Sequence, residues 1–329
     1  MTAETFTIIE PGIEFIPPRV PYLQLIELAA RTCHKSEEFI KEKSAERLLE
    51  KIVFKKGHES VIEHANCIMK VEASTEAAKS QLWDILGIGE FDRTMSRILF
   101  GGRVSMQPTG YLISGNVRMW RDLDRELFST NLRWGYFRAA LHEKWPFFFE
   151  EFCDTVPTPS PHVRIVGENP LTNRDGLSPE EMGRHMTLTY RFIGDRAMSH
   201  QLVRHRFAAY SQESQRYCNY GKKGFQFIVP PSISDPFIGQ PLKDYYLETM
   251  NKGYHFYNLA LGAGINPEDA RRPLGNATKT EVFTTLTLEM WNHFHKMRTL
   301  NDHAEWCIKG LGEKVFEHQK TLLPEVFDA

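Results

Sequence analysis

One polar stretch of the chain holds the densest set of side chains that could bind a charged ligand. It contains Arg204-His205-Arg206 and Arg216, so three arginines and a histidine fall within thirteen residues. A guanidinium group presents a rigid fork of N–H donors that matches phosphate oxygens. Ser214 and the backbone amides beside it could complete an anion site. The residues alone predict recognition of a phosphorylated ligand; a solvated loop with scattered ion pairs is the alternative.

The composition narrows the class of protein. The 329 residues are enough for a sizeable core, and a formal net charge of −2 gives no general attraction for nucleic acid. The five cysteines are odd in number and form no CxxC pair, which favours reduced thiols in a cytosolic protein over a disulfide framework. We see no signal-peptide pattern and no apolar run long enough to span a bilayer. We therefore expect a cytoplasmic protein with neither nucleic acid nor membrane as a partner.

Helical and strand-like patterns alternate along the chain, which predicts a mixed α/β or α+β fold. The length fits one large domain or two smaller ones. Apolar spacing predicts helices at 22–35, 37–55, 195–203 and 241–262, and strands at 61–72 and 186–193. A polar segment, 204–224, carries the arginine cluster. The neighbouring helices and strands must position this cluster. Which strands lie next to each other in the sheet is not visible in the sequence.

The spacing around the cluster is specific. Arg204-His205-Arg206 is followed after seven residues by Ser214, and this pattern resembles the signature of flavin-dependent thymidylate synthases. The resemblance extends upstream over Arg196-Ala-Met-Ser-His-Gln201 and downstream over Ser-Gln-Arg216-Tyr217.

Two further segments resemble the same family in the same order. Gly57-His58-Glu59-Ser60-Val-Ile-Glu63-His64 is similar to its flavin-contacting loop. Glu268-Asp269-Ala270-Arg271, followed by His293-Phe-His-Lys-Met-Arg298, is similar to its second nucleotide-binding region. The resemblance covers roughly 10–73 and 185–325. It implies a single domain over 1–329, and the segment 74–184 is interpreted as a helical and loop insertion within it.

The resemblance implies a fold and a reaction. The fold would be a central sheet flanked by helices, assembled as a homotetramer with active sites shared between subunits. The reaction would be reductive methylation of dUMP to dTMP with methylenetetrahydrofolate, FAD and NADPH, and no metal. A flavin would supply the redox chemistry while the protein supplies orientation and electrostatics. No GxGxxG motif follows a predicted strand, so a Rossmann site is not expected.

The resemblance also implies site residues. Those expected to contact dUMP are Gln201, Arg204, Gln212, Glu213, Ser214, Gln215, Arg216, Arg271 and Arg298. Those expected to contact FAD are His58, Ser60, Glu63, Arg204, His205, Arg206, Gln212, Thr287 and His293. Arg298 is the candidate catalytic residue. Ser214 has no basic neighbour in the sequence to activate it as a nucleophile, so it is assigned to binding.

Each of these residues has a structural alternative when taken singly. Arg298 could pair with Asp302 at helical spacing, and the histidines could be partly buried core residues. The histidines and carboxylates of the 58–64 segment lack HExxH spacing, so a zinc site is not expected.

The chain departs from the family at Thr287-Leu288-Glu289, where the family shows Asn-x-Arg. The insertion contains Asn116-x-Arg118, with Asn116 at the predicted start of a helix. A packing or assembly role for the insertion is favoured; the alternative hypothesis is that the insertion folds back and supplies the missing polar contacts to flavin or nucleotide. For the whole chain, the alternative function is a phosphate-binding protein or nucleotide hydrolase that uses the arginines without flavin.

Overall fold

The computed structural model describes residues 6–72, 102–127, 134–149, 160–167, 169–171, 174, 176–237 and 239–328. The ten strands within this part are β1 Phe6–Ile8, β2 Gly12–Ile16, β3 Asn66–Glu72, β4 Arg103–Gln107, β5 Gly110–Asn116, β6 Val163–Val166, β7 Thr187–Asp195, β8 Ala208–Gln212, β9 Phe225–Phe227 and β10 Lys279–Thr287.

Helices occur throughout the described residues. They are α1 Tyr22–Thr32, α2 Ser44–Leu49, α3 Val117–Leu127, α4 Trp134–Lys144, α5 Pro146–Phe149, α6 Pro179–His185, α7 Arg196–Leu202, α8 Tyr220–Lys223, α9 Pro231–Ser234, α10 Gln240–Gly262, α11 Pro267–Ala270, α12 Leu288–Phe294, α13 Trp306–Leu322 and α14 Pro324–Phe327. Short 3-10 turns lie at Glu37–Phe39 and Glu59–His64, and wider π-helical turns at Glu50–Phe54 and His295–Thr299. The predicted mixture of helices and strands is confirmed.

The first four-stranded sheet positions the arginine cluster. Its order is β2-β7-β10-β8, and every neighbouring pair is antiparallel. Strands β7 and β10 are rich in threonine and also contain aromatic residues, which fit a pleated surface. Their register runs from Lys279 opposite Asp195 to Thr287 opposite Thr187. Strand β7 continues directly into α7, and β10 continues directly into α12. Two helices that carry predicted site residues therefore begin at the ends of adjacent strands.

A second four-stranded antiparallel sheet has the order β4-β5-β3-β6. Three of its strands come from the segment interpreted as a helical and loop insertion. The expectation of one central sheet is therefore incomplete, since the described residues form two four-stranded sheets and a parallel β1-β9 pair. Residues of the hairpin β4–β5 were not predicted to be strands. The extent of the insertion stays a prediction.

The two larger apolar cores correspond to the two four-stranded sheets. One packs α1 and the 3-10 turn Glu59–His64 against β3, β5, α3, α4 and α5. The other packs β7 and β10 against α6, α7, α12 and α13. The 59–64 turn thus lies where the insertion meets the rest of the chain. No helix of the described residues is both long enough and apolar enough to cross a membrane.

Candidate active site

Arg298 is held in place by two motif residues distant in sequence. It lies in the π-helical turn that follows α12, while Gln201 lies in the last turn of α7. The Arg298 Nη1–H donates to Gln201 Oε1 at 2.7 Å, and its Nε–H donates to His205 Nε2 at 3.1 Å. Asp302 instead accepts from Lys309 Nζ at 3.0 Å, so the surface pairing of Arg298 with Asp302 is not what the structure shows.

His205 is neutral where it meets Arg298. The pKa of His205 is lowered to about 4, mainly by burial and to a smaller extent by the nearby Arg298 and His293. Its Nε2 therefore carries a lone pair that accepts from the guanidinium. Its ring meets Phe294 edge-on with centroids 5.1 Å apart, which fixes the ring orientation.

Arg298 carries a positive charge that no described carboxylate offsets. Burial lowers its pKa, as does the neighbouring charge of Arg204. An arginine nonetheless stays protonated in a protein. Its described hydrogen-bond partners are the uncharged Gln201 and His205. The cluster can therefore place a fixed, half-buried positive charge beside a ligand that gains negative charge.

A pocket of about 470 Å³ brings together four of the predicted residues. His58 and Ser60 come from the segment before β3, and Gln212 and Ser214 come from the end of β8. Ser214 is fixed because its backbone N–H donates to the Cys33 carbonyl at 3.0 Å. The size falls in the usual range for ligand pockets, about 300–1,000 Å³. The pocket is also lined by Arg118 of the insertion.

A smaller cavity of about 290 Å³ is lined by Gln215, His200 and three arginines. The arginines are Arg196, Arg271 and Arg272. Gln215 is 8% exposed, and its Nε2 has no hydrogen-bond partner among the described residues. An unsatisfied buried donor among arginines is suited to an anionic oxygen.

An arginine-carboxylate pair lies beside this cavity. Arg216 Nε approaches Glu268 at 2.8 Å, and the Arg271 Nε–H donates to the Glu268 backbone carbonyl at 3.1 Å. Arg216 and Arg271 are therefore joined through one residue, although they lie far apart in sequence.

Other predicted residues have their side chains engaged within the chain. The Glu213 carboxylate is fully buried; it accepts from Lys279 Nζ and from the Tyr220 hydroxyl, both at 2.9 Å. Thr287 Oγ1 caps α12 by accepting from the Met290 N–H at 3.3 Å. Glu63 accepts from Arg118 at 2.6 Å. Their contacts with dUMP or FAD stay predictions.

Three predicted residues stay available at the surface, namely Arg204, Arg206 and His293. His64, in contrast, is buried between the hydroxyls of Thr285 and Ser211, at 2.8 and 3.0 Å. Burial lowers the pKa of His64 to about 3, so it is a neutral core histidine. The part of the chain that the structure describes contains no group of three or more metal-ligating side chains placed to hold an ion.

Two segments, 21–83 and 177–325, match the protein-family model described as thymidylate synthase complementing protein. Together they make up more than half of the chain. The chain belongs to this family. The resemblance to flavin-dependent thymidylate synthases is thereby confirmed, and all the predicted site residues fall within the two segments.

Curated relatives share these segments in part. The chain is 33% identical over 152 residues to the flavin-dependent thymidylate synthase of Geobacter sulfurreducens, covering 46% of this chain and 64% of that protein. It is 33% identical over 145 residues to the enzyme of that name from Pyrococcus furiosus, covering 43% and 58%. The alignments thus span less than two thirds of either relative.

Among solved structures, the UMP/dUMP methylase PolB from Streptomyces cacaoi bound with 5-Br UMP is similar at 20% identity. The TM-score is 0.39, and the match covers 43% of this chain and 71% of that one.

The predicted site residues did not include several residues that line the two pockets. Arg196 and His200 are four residues apart in α7, so helical spacing could have placed them on one face. Arg272 directly follows Arg271. Arg118 lies between the two matched segments, and only its Asn-x-Arg pattern marked it in advance.

Proposed function

We propose that the protein is a flavin-dependent thymidylate synthase that methylates dUMP to dTMP with methylenetetrahydrofolate, FAD and NADPH. Family membership and relatives of that name at 33% identity support the proposal. The observation that carries it is the contact of Arg298 with Gln201 and His205, because it joins two motif segments into one cationic centre.

Arg298 would activate the pyrimidine. A fixed positive charge beside the uracil imide favours the electron-rich ring that attacks a one-carbon electrophile. The charge would act where negative charge develops, as the donors of an oxyanion hole do. Gln201 and His205 are positioning residues in this account, since neutral acceptors orient the guanidinium without cancelling its charge.

The dUMP phosphate would be bound near Arg271 and Gln215. The buried Gln215 Nε2 lacks a partner among the described residues and lies in a cavity lined by arginines, so the residues present fit a phosphate group. Ser214 and Arg216 lie next to Gln215 in the chain and would complete the contacts. Gln212 lines the same pocket as Ser214 and would also contact dUMP.

The FAD site would include the pocket lined by His58, Ser60 and Gln212, together with the exposed Arg204 and Arg206. Burial lowers the pKa of His34, which also lines this pocket, and nearby positive charges lower it to a smaller extent. The exposed arginines would fit the anionic pyrophosphate of a dinucleotide. Bound flavin would supply hydride transfer.

In a homotetramer with shared active sites, the Arg298 centre of one copy would meet the pocket of Gln212 and Ser214 of another. Arg298 is not among the residues that line the pocket of Gln212 and Ser214. Side chains of a neighbouring copy would then complete the active site at each of these two places. Light scattering tests the assembly, and a strictly monomeric protein that still binds FAD would contradict it. A cytoplasmic location is part of the same proposal.

The flavin spectrum of the purified protein tests the function. A synthase should be yellow or take up added FAD. With oxygen excluded, its reduced flavin should be reoxidised only when dUMP and methylenetetrahydrofolate are present. A colourless protein that binds dUMP but not FAD would support a phosphate-binding protein or hydrolase instead.

A further inference from the structure

The insertion brings one arginine to the pocket beside Ser214. Arg118 lies in the first turn of α3 and lines this pocket together with His58, Ser60 and Gln212. Asn116, the other polar residue of the Asn-x-Arg pattern, has a structural role. Asn116 Oδ1 accepts from the Met119 N–H at 2.9 Å, so Asn116 caps the helix as predicted.

The helix α3 is docked firmly enough to hold Arg118 at the pocket. Arg125, two turns further along, donates to both carboxylate oxygens of Glu59, at 2.6 and 3.2 Å. Such a two-point contact is geometrically specific. Glu59 is in the same 3-10 turn as Ser60, so the contact ties the insertion to the segment that lines the pocket.

The Arg118 side chain keeps donors available. Its Nη1–H donates to Glu63 Oε1 at 2.6 Å, and its Nε lies 3.7 Å from Asp122. Within the described ranges, Glu63 alone accepts a hydrogen bond from it. A guanidinium has five N–H donors, and this side chain is 44% exposed. Glu63 therefore orients the group while leaving N–H bonds free for a ligand.

We propose that Arg118 is a further binding residue of this pocket and contacts a phosphate oxygen of the bound nucleotide. The identity of the nucleotide, FAD or dUMP, rests on the proposed function. The shared chemistry is a phosphate anion, which matches the fork of N–H donors on the guanidinium. The insertion would then be part of the active site and not only a packing elaboration.

Arg118→Ala tests this assignment, with Arg174→Ala as the matched control. Both arginines lie in the segment interpreted as the insertion, are similarly exposed and pair with a glutamate, but Arg174 does not line the pocket. FAD and dUMP affinities would be measured separately by fluorescence titration and calorimetry. Arg118→Ala should weaken one of them roughly ten- to hundredfold, and Arg174→Ala should change neither by more than about twofold.

The outcomes separate this inference from the proposed function. Loss of FAD affinity assigns Arg118 to the pyrophosphate, and loss of dUMP affinity assigns it to the monophosphate. Arg118→Lys should restore part of the affinity because it keeps the charge. Equal losses in both alanine variants, or wild-type affinities in Arg118→Ala, would overturn the inference. A wild-type protein that binds neither nucleotide would overturn the proposed function itself.

Discussion

The two sides of the candidate active site hold their arginines by opposite means. Arg298 is bound by neutral acceptors, the Gln201 amide and the unprotonated His205 ring. Arg216 and Arg118 are bound by carboxylates, those of Glu268 and Glu63. A neutral partner orients a guanidinium and leaves its charge intact, whereas a carboxylate largely offsets it. The first arrangement suits stabilisation of developing negative charge, and the second suits anchoring of a ligand.

Removing the uncompensated charge should have the largest effect. Arg298→Ala should slow dUMP-dependent flavin reoxidation roughly a hundred- to thousandfold, by analogy with the loss of one oxyanion donor, which costs about 2.7–4 kcal/mol. Flavin reduction by NADPH should continue, since it does not involve the uracil ring. Rapid-mixing measurements follow the two half-reactions separately. A wild-type reoxidation rate, or an equal collapse of both rates, would refute the role of Arg298.

Changing a neutral partner into a carboxylate should have an intermediate effect. Gln201→Glu keeps the shape of the side chain but places a negative charge 2.7 Å from the guanidinium. The dUMP-dependent rate should fall about ten- to hundredfold, less than for loss of the arginine. The opposite exchange, Glu268→Gln at Arg216, should leave that rate within a few-fold while altering dUMP affinity. Similar rate losses in both variants would remove the distinction between the two sides.

Ser214 should contribute a binding contact only. Ser214→Ala should weaken dUMP binding by about 0.5–1.5 kcal/mol, or up to about 3 kcal/mol if the partner is a charged phosphate. Turnover at saturating dUMP should persist. Calorimetry and single-turnover kinetics give the two quantities, and a complete loss of chemistry with intact binding would make Ser214 a nucleophile.

Acidification should have the smallest effect within the usual working range. Because the pKa of His205 is about 4, its ring accepts from Arg298 at neutral pH and loses this ability only as pH falls through about 4. Between about pH 6.5 and pH 4 the unfolded chain binds more protons at this site than the folded chain, so His205 makes folding less favourable as pH falls. A pH profile of the single-turnover rate should show the acid limb of this group near 4. His205→Gln, which retains an acceptor, should lack it; a limb near 6.5 that His205→Gln abolishes would contradict the account.

Local patterns predicted some elements closely. The long helix predicted at 241–262 is α10, Gln240–Gly262, because Pro241 suits a first turn and the apolar spacing persists. The central strand β10 was missed because its threonines are buried on both faces and give no alternation. The Thr285 hydroxyl, for example, is hydrogen-bonded to His64 and Thr189, and these long-range contacts cannot be read from the sequence.

The sequence indicated which residues to place in the candidate site, but not how they are arranged. Spacing and resemblance named Gln201, His205 and Arg298, yet their contact depends on the register between β7 and β10. That register is set by non-local pairing, which no local pattern encodes. Arg118 and Asn116 were singled out together, and only the structure separates the residue that lines the pocket from the one that caps a helix.

Formation of dTMP from dUMP tests the central claim most directly. The purified chain would be incubated with dUMP, methylenetetrahydrofolate, FAD and NADPH, with each component omitted in turn, and the nucleotides would be separated and quantified. The account predicts dTMP only when all four components are present, with the new methyl carbon derived from labelled methylenetetrahydrofolate. Oxidation of NADPH without dTMP, or dTMP formed by flavin-free protein, would contradict it.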